Sequence, residues 1–399
     1  MKKILFVMNT MGGAGAEAAL LELLRRFPKK DYEIDLYVLM GQGELVEELP
    51  ERVRLLNHTY RNASVLSKEG KKYLYGTVLK ALMKRGNGLR LLPYLLSNLT
   101  EMVKKKQIMA DKLLWRVISE SGERFETHYD LAVAFLEGGA AYYVAEHVHA
   151  DKKAVFLHVD YEKAGYTRKL DKDCYLVFDK IFTVSNEVRE AFLRVYPECL
   201  EKTEIFHNML DIQGIRAKAQ AAGGFEDDFK GFRILTVGRL TTQKALEVSI
   251  DAMKILKEQG INARWYVCGE GDQRSFLEER IRKADLEEDF VLLGAVRNPY
   301  PYMRQADVYV HASRFEGKSI AIQEAQVLGK AILVSDCSGN REQVIPGVDG
   351  FMCQLDAGEI AEGIETLLNH EELRERLGKE AAKKISVKSE DINKLLDLL

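Results

Sequence analysis

The sequence is poor in cysteine and proline, and it has no long apolar run. Its 5 cysteines are widely spaced and include no Cys-x-x-Cys pair, so neither a disulfide framework nor a zinc site is expected. No run approaches the roughly 18 apolar residues that cross a bilayer. With 7 prolines, 46% hydrophobic and 30% charged residues, the composition predicts a folded protein of the reducing cytoplasm.

The charge is unevenly distributed along the 399 residues, although the net charge is only −3. Residues 68–116 contain twelve Lys or Arg and three Asp or Glu, which leaves +9 there and −12 in the rest of the chain. Such a basic segment predicts a face that meets an anionic partner. The length itself suggests two domains, because single cores stop growing at roughly 250–300 residues.

Strands and helices are predicted to alternate in the N-terminal half. The apolar run Ile4–Met8 predicts a strand, Gly12–Gly15 a turn, and residues 16–27 a helix with apolar residues at helical spacing. The start resembles a signal peptide, but polar Asn9 and Thr10 follow too soon, so a buried first strand is preferred. Further strands are predicted at Ile34–Leu39, Leu131–Phe135, Ala154–His158 and Ile181–Val184.

The same alternation begins again near Phe232. Strands are predicted at Ile234–Val237, Trp265–Cys268, Val291–Leu293, Val308–His311 and Ile332–Ser335. The chain is therefore predicted to be α/β, with doubly wound domains at residues 1–210 and 211–385. They are divided by Asp211–Gly231, which lacks an apolar period. Residues 386–399 are predicted to carry a last helix, near Glu390–Leu399, that packs back on the first domain.

Two glutamates mark the stretch Ser313–Ala325, which follows the predicted strand Val308–His311 and leads into a helix. Glu316 is expected at the carboxyl end of that strand, where open α/β sheets bind ligands. Gly317 allows the backbone to approach a ligand, and amides at the helix start can bind an anion. Glu324 follows eight residues later, about two helical turns on. The two carboxylates are therefore expected to contact opposite ends of an extended ligand such as a sugar nucleotide.

This stretch resembles the Glu-x7-Glu motif of retaining GT-B glycosyltransferases, in particular those of family 4. Thr236–Lys244 is similar to that family's Gly-Arg-Leu…Gln-Lys-Gly loop, and Cys268–Gly271 to its Gly-x-Gly turn. Tyr302 and Ala306–Val308 are similar to the run before the glutamate motif. These similarities cover most of residues 232–345 in the family's order. Ala245 is a departure, since the family commonly has Gly there; Lys318 and Ser319 replace the usual Phe-Gly, which bears on donor choice.

The resemblance implies a GT-B fold of two facing Rossmann-like domains with a cleft between them. Arg239 and Lys244 would hold the donor diphosphate, since a guanidinium fork and an ammonium suit two phosphates. Glu316 would contact the transferred sugar, His158 would lie near it, and Glu324 would accept hydrogen bonds from the ribose. The other residues expected to bind the donor are Gly13, Gly15, Gly238, Gly269, Val296, Gly317, Lys318, Ser319 and Ile320.

The reaction implied is transfer of a sugar from a nucleoside diphosphate, with UDP as first choice, to a hydroxyl of a glycan or lipid-linked acceptor. The resemblance implies retention of configuration, with no metal and no cofactor, in cell-surface polysaccharide or glycolipid synthesis. A nucleotide-sugar 2-epimerase of the same fold and a non-catalytic sugar-nucleotide-binding protein are alternatives. The charged set Arg239, Lys244, Glu316 and Glu324 argues against the latter.

Other motifs support competing interpretations less well. The Gly12–Gly15 run lacks the third, properly spaced glycine of a dinucleotide fingerprint. Asp171 and Asp173 form an Asp-x-Asp, but the surrounding pattern does not suit a metal-binding motif. His147 and His149 are expected on one face of a strand without a third ligand. No nucleic-acid-binding module surrounds the basic segment.

The basic segment contains apolar residues at helical spacing: Leu74, Val78 and Leu82, then Leu91, Leu92, Leu95, Leu96, Leu99, Met102 and Val103. Basic residues flank them: Lys71, Lys72, Lys80, Lys84 and Arg85, then Arg90 and Lys104–Lys106. Basic amphipathic helices commonly lie on anionic bilayers, which would put the protein at the inner face of the membrane. A pair of core-packed helices with a solvated basic rim is the alternative, and the sequence leaves both open.

Overall fold

The structure is a computed structural model that describes residues 1–13, 15–63, 68–104, 109–385 and 391–399. The chain divides into two compact units: unit 1 is Met1–Met209 with Ser389–Leu399, and unit 2 is Leu210–Lys388. The predicted boundary after residue 210 lies one residue from this division. Among the described residues, no helix is both long enough and apolar enough to cross a bilayer.

Unit 1 is built on a parallel sheet. Within its described residues the sheet has seven strands in the order β3-β2-β1-β4-β5-β6-β7. The strands are β1 (Lys2–Met8), β2 (Tyr32–Val38), β3 (Val53–Leu55), β4 (Tyr129–Ala134), β5 (Ala150–Leu157), β6 (Lys180–Thr183) and β7 (Thr203–Ile205). The central β1 pairs with β2 and β4, and its apolar residues are buried, as in sheets covered on both faces.

Helices connect these strands. They are α1 (Gly15–Arg26), α2 (Lys68–Met83), α3 (Asn87–Lys104), α4 (Ala110–Ser121), α5 (Gly139–His147), α6 (Arg168–Asp171), α7 (Asn186–Val195) and, assigned to this unit from the C-terminus, α15 (Ile392–Leu396). Just before α15, Asp391 accepts a hydrogen bond from the His207 backbone at 2.7 Å, and Lys394 donates to the Ile205 carbonyl at 2.6 Å. Of the segment expected to pack back on the first domain, residues 386–390 lie outside the described residues.

Unit 2 repeats the architecture. Its described residues form a six-stranded parallel sheet in the order β10-β9-β8-β11-β12-β13. The strands are β8 (Phe232–Val237), β9 (Ala263–Cys268), β10 (Phe290–Gly294), β11 (Val308–His311), β12 (Ala331–Ser335) and β13 (Phe351–Cys353). The helices are α8 (Ile212–Ala219), α9 (Leu246–Glu258), α10 (Arg274–Lys283), α11 (Tyr300–Gln305), α12 (Ile320–Val327), α13 (Ala357–Asn369) and α14 (Glu371–Lys384).

Side chains that alternate along the unit 2 strands enter two separate cores. Trp265 and Val310 lie in the core that contains α9 and α13 residues. Tyr266 and Tyr309 lie in the core that contains Ile322 of α12. Period-2 alternation with both faces covered is the pattern of a doubly wound sheet. The predicted α/β class with two doubly wound sheets is therefore what the structure has.

Three local predictions were wrong. The stretch Asp211–Gly231 was expected to lack an apolar period, but Ile212–Ala219 forms α8, which Asp211 caps by accepting from the Gly214 amide. The histidine pair was expected on a strand, but His147 ends α5. The short strands β3, β7 and β13 were not predicted, because three residues are too few to show a period.

Helix α3 has two apolar faces instead of the single one expected. Leu91 and Met102 are buried, and Leu95 packs against the cluster of Ala81, Leu91 and Val117. Leu92, Leu96, Leu99 and Val103 are exposed, as is Leu89. The helix is therefore core-packed along one side and unpartnered along another.

The close approach of α14 to the end of α12 predicts an effect on stability. A methyl group at Gly378 would lie 2.0 Å from the carbonyl oxygen of Gly329, a backbone atom that cannot move aside easily. We expect Gly378→Ala to destabilise the protein by about 1–3 kcal/mol, despite the better helix propensity of alanine. Thermal unfolding followed by circular dichroism measures the change.

Gly76→Ala is the matched control. Gly76 also lies inside a helix, α2, and a methyl group there meets no atom within 4 Å. We expect this variant to melt at or above the wild-type temperature. Equal effects of the two substitutions would contradict the packing argument.

Candidate active site

The switch point of the unit 2 sheet lies between β8 and β11. These strands pair with each other, while the chain continues from β8 to β9 on one side and from β11 to β12 on the other. The loops that leave their carboxyl ends therefore diverge and open a crevice, which is where such sheets bind ligands. Residues 238–245 follow β8, and residues 312–319 follow β11.

Three side chains from these loops and strands meet at the crevice. Lys244 Nζ lies 2.6 Å from Glu316 Oε1 and 3.1 Å from His311 Nε2, and the same ring nitrogen lies 3.1 Å from Glu316 Oε1. The Tyr309 hydroxyl lies 3.2 Å from His311 Nδ1. His311 and Glu316 are buried, and Lys244 is half-buried. A cation, a carboxylate and an imidazole are thus held in mutual contact.

Burial and neighbouring charge set the protonation of this cluster. Burial alone would raise the pKa of Glu316, but Lys244 and the hydrogen bond of His311 outweigh it and hold that pKa well below its usual range. Burial, followed by the positive charge of Lys244, lowers the pKa of His311. At neutral pH the cluster is therefore an ion pair of Lys244 and Glu316 with a neutral imidazole beside it.

Two residues hold the two loops against each other. Gln243 donates from its side-chain nitrogen to the Phe315 carbonyl at 2.8 Å, and its own carbonyl accepts from the Arg314 amide at 2.9 Å. The Arg314 guanidinium donates to the Thr242 carbonyl and pairs with Glu247 at the start of α9. These contacts fix Lys244 in front of Glu316.

The departure at Ala245 has a structural cost. Ala245 is buried and adopts φ +46, ψ 35, a left-handed conformation, between a 3-10 turn at Thr242–Lys244 and the first residue of α9. Glycine adopts this conformation readily, whereas a residue with a Cβ atom is strained. The position therefore has the backbone for which glycine is suited, and the loop forms with alanine.

The expected donor glycines of this unit serve backbone packing first. A methyl group at Gly269 would lie 1.8 Å from the Gly238 carbonyl oxygen, and one at Gly271 would lie 2.1 Å from that of Leu240. A methyl group at Gly238 would touch the Lys244 side chain at 3.3 Å. Half-buried Val296 packs with the core on the α12 side. These residues shape the crevice wall, and Gly238 lies against the lysine.

Glu316 lies in a loop, which corrects the expectation of two helical turns between the glutamates. The helix α12 begins only at Ile320, where Ser319 is the N-cap and its hydroxyl accepts from the Ile322 amide. Gly317 is buried and Lys318 half-buried. The loop rests on Gly339 (φ +82), where a methyl group would lie 2.5 Å from the Gly317 carbonyl oxygen. Gly339 is thus needed for the position of the glutamate loop.

Glu324 already has a partner. The Tyr300 hydroxyl donates to Glu324 Oε1 at 2.8 Å. Burial raises the pKa of Glu324 to about 7, and the hydrogen bond from Tyr300 opposes that rise. A ligand that hydrogen-bonds to this carboxylate must therefore share it with Tyr300 or displace it.

Arg239 differs from Lys244 in its surroundings. Its side chain is exposed and forms no ion pair among the described residues, while its carbonyl accepts from the Thr241 amide. Unit 2 thus offers one paired cation and one solvated cation, both on the loop that follows β8.

The unit 1 sheet has its own switch point between β1 and β4. After β1, Asn9 accepts from the Ala140 amide at 2.8 Å. The amide of Gly13 donates to Glu44 Oε1 at 3.2 Å, and Gly15 begins α1. The expected phosphate-facing glycine therefore carries a carboxylate partner in this structure. The run's third residue, Ala14, lies outside the described residues.

His158 follows the end of β5. Its amide donates to Glu137 Oε2 at 2.9 Å, and its ring packs against Phe135 at 5.2 Å between centroids. Burial lowers the pKa of His158 to about 4, so the ring is neutral near pH 7. Its Nε2 is buried and has no hydrogen-bond partner among the described residues. Such a nitrogen is suited to bind a ligand hydroxyl.

The disfavoured metal motifs take part in internal networks. Asp171 is buried and accepts from Tyr142 and Tyr161, whereas Asp173 pairs with Arg168, so the two carboxylates do not act together. His147 lies with Glu120 and Glu146, whose ligand atoms are within 4.8 Å of one another. Both glutamates pair with arginines, Arg90 and Arg116. We therefore interpret this cluster as an ion-pair network of α3, α4 and α5.

Sequence reasoning missed His311, Tyr300, Gly339 and the clamping role of Gln243. His311 had a usable signal, because it ends a predicted strand beside the glutamate motif, as His158 ends another. Tyr300 and Gly339 come close to the site only through the fold, and neither lies in a pattern that a single sequence reveals.

The comparisons with known proteins concern mainly unit 2. Residues 225–384 match the family model described as "Glycosyl transferases group 1". A 4-alpha-N-acetylgalactosaminyltransferase of Campylobacter jejuni, named for an undecaprenol-diphosphate-linked substrate, is 32% identical over 176 residues, 44% of this chain and 46% of that protein. The amylovoran biosynthesis glycosyltransferase AmsD of Erwinia amylovora is 26% identical over 56% of this chain and 62% of its own. The matches span about half the length of these relatives, and they support a group 1 glycosyltransferase.

Solved structures extend the likeness to the whole chain at the level of the fold. HepE of Anabaena in complex with UDP-glucose has a TM-score of 0.67 and 17% identity, covering all of both chains. A Staphylococcus aureus TarM variant in complex with UDP and other ligands has a TM-score of 0.68 and 13% identity, covering all of this chain and 99% of its own. The chain therefore has the GT-B fold, as the sequence predicted.

The buried pair of Lys244 and Glu316 predicts a non-additive mutant cycle. We expect Lys244→Met to destabilise unit 2 by about 3–5 kcal/mol, because it leaves the Glu316 carboxylate buried without its cation. Adding Glu316→Leu should recover most of that loss, since an apolar pair leaves no buried charge. Urea denaturation of the single and double variants measures the coupling.

The exposed pair Lys283–Glu279 on α10 is the control for this cycle. There the coupling should be about 0.3–0.5 kcal/mol. A coupling that is as small at Lys244–Glu316 would contradict the buried ion pair.

The raised pKa of Glu324 predicts a pH-dependent difference between wild type and Glu324→Gln. Between the ordinary pKa of about 4.3 and the folded pKa of about 7, the folded state holds a proton that the unfolded state has lost. The stability of the wild type relative to the variant should therefore be greatest below that window, fall as the pH rises through it, and level off above it.

Melting temperatures from pH 4 to 8 give this difference directly. Tyr300→Phe should move the midpoint to higher pH, since it removes the hydrogen bond that stabilises the carboxylate. A difference between wild type and Glu324→Gln that stays constant across the window would refute the assignment.

Proposed function

We propose that the chain is a retaining glycosyltransferase that moves a sugar from a nucleoside-diphosphate-sugar, UDP-sugar first, to a hydroxyl of a glycan or lipid-linked acceptor. The observation that carries the proposal is the Lys244–Glu316–His311 cluster at the β8/β11 switch point. This cluster lies within the segment that matches the group 1 family model. HepE, which has the same fold, binds UDP-glucose.

In this proposal Lys244 and Arg239 bind the donor diphosphate. Lys244 is held at the crevice by its contact with Glu316, and Arg239 is exposed on the same loop and able to turn toward a ligand. The diphosphate gains negative charge as the bond to the sugar breaks, so two cations stabilise the departing group more than the intact donor. The reaction then needs no metal ion to balance that charge.

The two glutamates take the sugar and the ribose. Glu316 can accept hydrogen bonds from sugar hydroxyls through the carboxylate oxygen that does not contact Lys244, and its ionised state suits that role. Glu324 accepts from ribose hydroxyls after exchange with Tyr300. Ser319 and Ile320 at the start of α12 place backbone amides near the same crevice.

The neutral ring of His158 acts as a hydrogen-bond partner and not as an acid. One ring nitrogen donates to the Phe135 backbone, so the partnerless Nε2 is an acceptor for a sugar hydroxyl. We assign no covalent nucleophile. The proposed step is departure of the nucleoside diphosphate with same-face attack by the acceptor hydroxyl, whose proton passes to the departing phosphate.

The acceptor class follows from the relatives. The Campylobacter jejuni relative is named for a diphospho-undecaprenol substrate, and AmsD for amylovoran biosynthesis. We infer a lipid-linked or growing glycan acceptor for cell-surface polysaccharide or glycolipid synthesis.

Nucleotide titration tests the donor site. We expect UDP to bind more tightly than GDP or ADP in isothermal calorimetry, and Lys244→Ala and Arg239→Ala each to weaken UDP binding about tenfold or more. Lys254→Ala and Arg282→Ala remove equal charge from exposed positions of unit 2 and should leave binding unchanged. If no nucleotide binds at millimolar concentration in the wild type, the donor assignment fails.

Turnover with labelled UDP-sugars separates the remaining alternatives. A transferase forms an α-linked product from an α-linked donor only when an acceptor is supplied, with chelator present or absent. Release of an epimerised sugar without an acceptor would identify a 2-epimerase instead. Tight UDP binding with no turnover on any acceptor would favour a non-catalytic binding protein.

A further inference from the structure

The second apolar face of α3 is a continuous stripe of exposed side chains. Leu89, Leu92, Leu96, Leu99 and Val103 are 82%, 45%, 55%, 39% and 54% exposed. Their spacing of three and four residues puts all five within an arc of roughly 80° at 100° per residue. Scattered exposed leucines are ordinary, but five on one side of one helix form a surface.

The opposite side of α3 fixes the helix in place. Leu91 packs with Ala81 of α2 and Val117 of α4. The Tyr94 hydroxyl donates to the Leu170 carbonyl at 2.8 Å, and Lys169 donates to the Ser97 carbonyl at 3.1 Å. The stripe is therefore presented by a helix that is already folded and anchored, so no rearrangement is needed to expose it.

Lysines accompany the apolar surface. Lys104 is exposed one residue beyond Val103. On α2, exposed Tyr75, Leu79 and Met83 recur every fourth residue, and exposed Lys72 and Lys80 lie among them. None of Lys72, Lys80 and Lys104 forms an ion pair within the part of the chain that the structure describes, so their charges are available to an external anion.

Charge decides between two occupants of this surface. A second copy would bring its own segment 68–116, which carries +9, against the same segment, and the two would repel. An anionic bilayer attracts the lysines and accepts the leucines below its headgroups, as basic amphipathic helices require. We propose that the outer face of α2 and α3 is a membrane-docking surface whose partner is an anionic lipid bilayer.

The experiment is co-sedimentation of the full chain with vesicles of phosphatidylcholine and about one third phosphatidylglycerol. We expect Leu92→Gln/Leu96→Gln/Leu99→Gln to lower the partition coefficient about tenfold or more. Lys72→Gln/Lys80→Gln/Lys104→Gln should lower it about a hundredfold, at about fivefold for each lysine, and raising the salt concentration should weaken wild-type binding. Glutamine is chosen because it preserves helix propensity.

Two controls match these variants. Leu176→Gln/Val177→Gln/Leu200→Gln removes exposed apolar side chains elsewhere in unit 1, and Lys29→Gln/Lys30→Gln/Lys379→Gln removes the same charge from exposed positions outside the basic segment. Both should bind vesicles like the wild type. Circular dichroism and UDP titration of every variant check that the fold and the donor site are intact, so a loss of docking is distinguishable from a failure of the proposed function.

The outcomes decide the proposal. Vesicle binding that depends on phosphatidylglycerol and is lost in both surface variants supports it. No binding by the wild type, equal binding to pure phosphatidylcholine, or equal binding by variants and controls would overturn it. A lipid-independent dimer in sedimentation equilibrium that the leucine variant abolishes would also overturn it, by assigning the face to a second copy.

Discussion

The ion pair between Lys244 and Glu316 is the constraint on which the unit 2 crevice depends. A buried carboxylate is tolerable only with its cation beside it, so the loops after β8 and β11 must be held together. Gln243 and Arg314 provide that link, Gly339 leaves room for the glutamate loop, and Ala245 accepts a strained conformation so that the lysine loop can close. Much of the local irregularity of unit 2 follows from positioning one ammonium group.

Much of the fold was predictable because buried parallel strands are continuous apolar runs with glycine-rich loops between them. The same logic placed Glu316 and Lys244 at strand ends. What failed was local: Glu316 is in a loop because Ser319 caps the helix only at Ile320. His311 needed knowledge of which strand ends are neighbours, and Tyr300 reaches Glu324 only because the turn into α11 approaches α12. Such contacts are long-range, and no spacing along the chain encodes them.

The basic segment shows the limit of periodicity most clearly. Its apolar residues were at helical spacing, but the sequence did not separate Leu91 and Met102, which face the core, from Leu92, Leu96 and Leu99, which do not. The moment of a helix reports that it is amphipathic and not how many partners it has. Likewise α8 was overlooked because its apolar face is only Ile215 and Ala219.

The Tyr300–Glu324 contact has a thermodynamic consequence for ligands. With its pKa at about 7, the carboxyl is protonated in a substantial fraction of molecules near neutrality. A ligand diol that donates to the carboxylate selects the ionised form, so its binding expels a proton into the buffer. The apparent heat of association would then differ between buffers of different ionisation enthalpy, and affinity would rise on the alkaline side. The crevice would therefore couple occupancy to proton release.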